Sequence, residues 1–217
     1  MFRSGFLTSV RAWVFAALWL ALPGAWAVPA AQFDAAFDVF VQARAGDSRA
    51  VEAAAQAFAE LLKTEPVNPV LMAYAGSSTA MRANTTWIPW KKMGFAEDGL
   101  ALIDKALAML TEAHNAPLQH DVPAALEVRF LAANTFLAVP SFMNRGPRGA
   151  KLLQTVLDSP LLATSPLAFR VDVWMLAAKE AIKDKRPDDA RKYLNEVIQA
   201  NGPQLEAARA QLQALSS

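Results

Sequence analysis

Apolar residues recur along this chain at steps of three and four, the period that keeps them on one face of an α-helix. Phe33, Phe37, Phe40 and Val41 form the first such stripe. Gly46 closes that helix, and Asp47 or Ser48 can cap the next, whose stripe is Val51, Ala54, Ala55, Phe58, Leu61 and Leu62. Pro66 and Pro69 stop it. A third helix is expected over 70–82. A fourth is expected over 97–112, with Leu100, Ile103, Leu107 and Leu110 inward. A fifth covers 124–138 and a sixth 148–157, with loops bracketed by Pro117 and Pro123 and by Pro160 and Pro166. A seventh covers 167–183. The eighth opens on Pro187-Asp188-Asp189, where proline lacks the spare N–H and the acids complement the helix dipole. Gly202-Pro203 ends it, and a more polar helix follows over 204–215. No window alternates apolar and polar positions with β-branched residues, so the expected fold class is all-α. Short loops between consecutive helices imply antiparallel neighbours.

The amino-terminal segment reads as an address rather than as fold. Arg3 and Arg11 lie in or beside it, and an eleven-residue apolar run follows from Ala12 to Leu22. Pro23-Gly24 breaks the run, and Ala25-Trp26-Ala27 sets small residues two apart, as signal peptidase requires. Residues 1–27 are therefore expected to be a secretory leader cleaved after Ala27, and residues 28–217 the mature domain. Eleven residues are too few to cross a hydrocarbon core of roughly 30 Å as a helix. An uncleaved anchor is the alternative, because the apolar stretch can be read from Phe6 onward. The mature chain is expected in the periplasm, without stable membrane insertion.

A repeat emerges from the helix stripes. Ala54, Phe58, Leu61 and Pro66 fall at steps of four, three and five, and Ala190, Leu194, Val197 and Gly202 repeat those steps. Sixteen residues before Ala190 stands Trp174, with the small Ala178 four beyond it. This pattern resembles the tetratricopeptide repeat, a helix pair of about 34 residues in which a small residue lets two helices touch. Counting on from Pro66 puts Gly76 at the next small position, with Gly99, Ile103 and Ala106 carrying the second-helix pattern late. In the third pair Ala132 takes the small position, and Ala150, Gln154 and Leu157 follow. The resemblance covers roughly residues 31–201 and is clearest over 174–202. It implies an α-solenoid of about four antiparallel helix pairs with the last polar helix as a cap. The narrower likeness is to bacterial exported tetratricopeptide-like proteins with a stretched turn inside the middle repeats, and it implies no activity.

Composition sharpens this picture. The 217 residues include 45 Ala, 9 Gly and no Cys, and 54% are hydrophobic. Abundant Ala with little Gly favours helices over sandwiches and barrels. Without Cys there is no disulfide, thiolate metal site, catalytic thiol or lipid-anchored cysteine. Lys+Arg number 21 against 20 Asp+Glu. Removing Arg3 and Arg11 with the leader leaves 19 basic and 20 acidic residues, net −1. That balance argues against nucleic-acid binding, which needs an excess of cations.

Two stretched turns carry the candidate chemistry. The first, over 82–95, contains Trp87, Trp90, Lys91 and Lys92; the second, over 140–149, contains Phe142, Arg145 and Arg148. Both follow the first helix of a pair, so both should emerge on one edge of a solenoid. Aromatic rings give contact area at low entropy cost, and the cations can pair carboxylates or phosphates. These seven residues are candidate partner-binding positions, for an acidic peptide, a lipid headgroup or a partner protein. Alternatively, Trp87 and Trp90 fold back over the helix ends as local core. A second candidate is the inner face of the first helices, where Ser77, Asp172, Met175 and Lys179 fall. His114 and His120, the only histidines, flank Pro117 and read as a solvated loop, since a metal pair there lacks a third ligand. Glu52, Glu60, Glu112 and Glu127 have nothing in the sequence to bring them together. No nucleophile elbow, Gly-rich phosphate loop or zinc-protease helix appears. The expectation is a non-catalytic protein without cofactor or metal that binds a protein or peptide in the cell envelope. The alternative is a small-ligand or lipid-binding periplasmic protein with a pocket at the two turns.

Overall fold

The computed structural model describes residues 28–215, so the leader reading lies outside the described residues. Within them every regular element is helical, and an isolated bridge joins Pro117 to Pro123. The helices are α1 (Ala30–Arg44), α2 (Ser48–Thr64), α3 (Pro69–Met81), α4 (Pro89–Ala108) and α5 (Ala124–Ala138). They continue as α6 (Gly146–Leu157), α7 (Pro160–Thr164), α8 (Leu167–Lys183), α9 (Pro187–Ala200) and α10 (Leu205–Ala214).

Local chemistry fixes the turns. Gly46 takes φ +105°, a conformation with little cost for glycine alone. Asp47 then caps α2 by accepting a hydrogen bond from the Arg49 N–H at 2.9 Å, which holds its carboxyl below the usual range. The Asn68 side chain accepts from the Val70 and Leu71 N–H groups at 2.9 and 3.2 Å and starts α3. Ahead of α1, the buried Val28 donates its backbone N–H to the Glu65 carboxylate. The other oxygen of Glu65 accepts from Asn68 Nδ2 at 2.7 Å. One carboxylate thus ties the start of α1 to the turn between α2 and α3.

α1 packs on α2, α3 on α4, α5 on α6 and α8 on α9, and α10 packs on α9. Contacts of α2 with α3, α3 with α5, and α6 with α8 join these pairs in chain order. The core follows the same order. Phe33, Phe40, Phe58 and Tyr74 fill the first stretch, Phe130, Leu153 and Val173 the second, and Val171, Leu194 and Ala208 the third. α3 is buried on nearly every face, from Pro69 through Ser78, because it has helices on three sides. Gly76 and Gly99 bring α3 and α4 into backbone contact: a Cβ on Gly99 would lie 2.5 Å from both the Ala80 nitrogen and the Gly76 carbonyl.

The stripes Ala54–Phe58–Leu61, Gly99–Ile103–Ala106 and Ala190–Leu194–Val197 are all buried. Four expectations need correction. Val41 is 45% exposed, and Ala36 and Ala43 turn inward on α1 instead. α4 begins at Pro89 rather than at 97, because a proline at the first helical position starts a helix as readily as an internal one stops it. On α6 the inward residues are Gly149, Leu153 and Val156, one position before Ala150, Gln154 and Leu157. Gly149 sets that register, since even a Cβ there would lie 2.9 Å from Leu137 and 3.0 Å from Phe136 on α5. The segment between Pro160 and Pro166 is a short helix, α7, capped by Ser159 and anchored by buried Leu162.

Candidate functional site

Between them α1, α3, α5 and α8 contribute most of the lining of three adjoining cavities, with residues of α2, α4 and α10 beside them. The largest, about 510 Å³, lies among Arg44, Ser77, Met81, Asn134 and Thr135. The next, about 400 Å³, is bounded by Asp172, Met175 and Lys179 of α8 and by Gln204 and Gln211 at the α10 end. The third, about 310 Å³, is walled by Phe37, Phe40, Tyr74, Phe130 and Phe169. Arg44 lines all three, and Asn134 and Lys179 line the first two. Asp172 stands between the second and third, paired with Arg44 at 3.5 Å and accepting from Gln204 Nε2 at 2.6 Å.

The inner-face residues expected from the sequence thus come together here. Met175, Lys179 and Asp172 share one cavity and Ser77 lines another. Ser77 is buried, and its hydroxyl meets Thr135 Oγ1 at 2.9 Å, while Thr135 itself donates to the Leu131 carbonyl.

The stretched turns converge at the largest cavity. Ala83, Asn84 and Thr85 from the first and Pro140 from the second, with Val139 just past α5, line it. Trp87, Trp90 and Phe142 line none of the three cavities and are 86%, 74% and 66% exposed. The two tryptophans therefore do not form local core. Trp90, Lys91 and Lys92 sit in the first turn of α4, both lysines exposed. Arg145 and Arg148 instead reach back to α4. Both pair with Asp104, Arg145 Nη1 at 2.8 Å, and both guanidiniums lie 5.3 Å above the Phe136 ring.

The histidine loop also departs from expectation. His114 Nδ1 accepts from the Thr111 N–H at 2.9 Å and closes a local turn. His120 is not a solvated loop residue. Its ring lies edge-on to Phe33 and Phe37, with centroids 4.4 and 4.5 Å away. Its Nδ1 stands 3.3 Å from Glu127 Oε1 and its Nε2 3.7 Å from Asp34. Tyr74 donates to the same Glu127 oxygen at 2.7 Å. Burial, and then the neighbouring Glu127 charge, push the Tyr74 phenol well above its ordinary value. Glu127 is 2% exposed, and its Oε2 has no hydrogen-bond partner. Among the described residues no group of three His, Asp or Glu side chains is arranged to hold a metal ion.

Sequence reasoning found nothing to bring Glu127 to a partner and did not join it to Tyr74. The available signal was a single polar residue inside an otherwise apolar helical run, VLMAYAG for one and AALEV for the other. Buried polar residues in such runs are there with a partner or a task. No family model matches the chain, and neither does any curated protein or solved structure. No helix among the described residues is long and apolar enough to cross a membrane.

Proposed function

We propose that this chain is an exported, non-catalytic adaptor that binds a protein or peptide of the bacterial cell envelope along the inner face of a tetratricopeptide-like α-solenoid. The observation that carries this reading is the set of three cavities lined between them by α1, α3, α5 and α8 and linked through Arg44. An extended surface built this way suits an extended ligand better than one compact substrate. Four helix pairs packed in chain order, with core clusters following one another and α10 on the last pair, support the solenoid with its cap. Export and cleavage after Ala27 would place the protein in the periplasm. The contact of Val28 with Glu65 supports that step, since cleavage would turn a neutral N–H into an ammonium beside a carboxylate. A small-ligand or lipid site at the two turns is the second reading, favoured by the cavity of about 510 Å³ that both turns rim.

In-cell photo-cross-linking tests the adaptor. A photoreactive residue replaces Asn134, Met175 or, on the exposed side of α9, Glu196. The expected result is one discrete envelope protein trapped from 134 and 175 and not from 196. Trapping only from 196, of cytoplasmic proteins alone, or of nothing overturns the reading.

A further inference from the structure

The cavity of about 310 Å³ is chemically unlike its neighbours. Five aromatic side chains line it: Phe37, Phe40, Tyr74, Phe130 and Phe169. One buried carboxylate, Glu127, also lines it. Burying a carboxylate is costly unless it is paired or fully hydrogen-bonded. Glu127 is neither. Tyr74 and His120 share one oxygen, the other accepts nothing, and no lysine or arginine among the described residues pairs with it. Arg44 also lines the cavity, but it is turned to Asp172. Asp121 adds a further negative charge at the edge.

We infer that this cavity binds an organic cation, an ammonium or guanidinium group carried on an apolar stem. Ring faces attract a cation and exclude an anion, and Glu127 supplies the counter-charge that Tyr74 leaves incompletely satisfied. The volume lies at the lower end of small-molecule sites, which suits one such group rather than a whole peptide. The cation has two possible sources, a free amine or the basic side chain of a bound peptide. The site goes beyond the groove reading and does not depend on it, since cross-linking in cells can fail while a purified ligand still binds here.

The test is an NMR titration of the purified mature chain, observing the His120 ring, with a His114→Gln variant to assign its signal. Four probes are compared: 2-phenylethylammonium, the neutral 2-phenylethanol, and the capped tripeptides Ala-Arg-Ala and Ala-Gln-Ala. The expected result is saturable movement of the His120 signal with a cationic probe and none with its neutral partner. Stronger binding of the Arg peptide assigns the cation to a peptide side chain, and stronger binding of the amine assigns it to a free ligand. Glu127→Gln, which keeps an acceptor for Tyr74, should weaken binding by about tenfold or more. Should that variant fail to fold, Phe169→Ala removes a wall at a partly buried position and should weaken binding too. Equal binding of charged and neutral probes, unchanged affinity in either folded variant, or no response to either cation overturns the inference.

Discussion

At the residue scale the chemistry concentrates on Tyr74 and Glu127. The phenol donates to the carboxylate inside the aromatic cluster, with the Phe58 ring stacked 4.7 Å from the Tyr74 ring. Burial disfavours the phenolate, and ionising Tyr74 would also put a negative charge beside Glu127, so the folded state holds it neutral. Its raised pKa contributes stability that is present below the unfolded value of 10.0 and is lost as the pH rises above it. In a Tyr193→Phe protein, Tyr74 is the only tyrosine left. The folded form should show no tyrosinate absorbance at about pH 11, whereas the denatured chain ionises normally. A folded-state titration near 10.0 would contradict the burial. Val28 supports a second residue-scale expectation. A chain beginning at Val28 with a free amino group should melt higher than its N-acetylated form, and Glu65→Gln should erase the difference. Equal midpoints in the unmutated pair would remove Val28 as support for the cleavage site. His120 shows what the sequence hides at this scale: its partners Phe33, Phe37 and Asp34 come from α1, far away in the chain. No local pattern around His120 announces them.

At the element scale, periodicity and punctuation were legible where they agreed. α5 and α8 start and stop where their prolines and apolar stripes say they should. The first turns of α4 were hidden because Pro89 and Gly94 interrupt an aromatic, basic run that reads as a turn, yet both lie within the helix. α7 was hidden because five residues between two prolines cannot display a helical period. The two glycines of α4 give a sharp contrast. A Cβ added at Gly94 would meet nothing within 4 Å, so Gly94→Ala should stabilise the fold by roughly 0.5–1 kcal/mol through helix propensity. Gly99→Ala drives a methyl into the backbone of α3 and should destabilise by about 1–3 kcal/mol or more. Thermal melts of the two proteins check this, and a neutral Gly99→Ala would mean that α3 and α4 do not meet as closely as described.

At the scale of the whole molecule, the all-α class and the buried stripes of α2, α4 and α9 followed from sequence, because each stripe is set by spacing within one helix. The cavities did not, because each is bounded by three or more helices whose polar residues carry no shared period. The stretched turns divide by role for the same reason. Trp87, Trp90 and Phe142 stay at the surface, while Arg145 and Arg148 brace α6 against α4 through Asp104. Only the fold reveals that Asp104 is within reach.

Among the described residues Arg44 is the one side chain that borders all three cavities, and Asp172 holds it at 3.5 Å. An occupant that drew this guanidinium away from Asp172 would reshape the wall of the other two chambers at once. Their affinities would then be linked, and linkage is reciprocal: whatever one site does to the second, the second does to the first by the same factor.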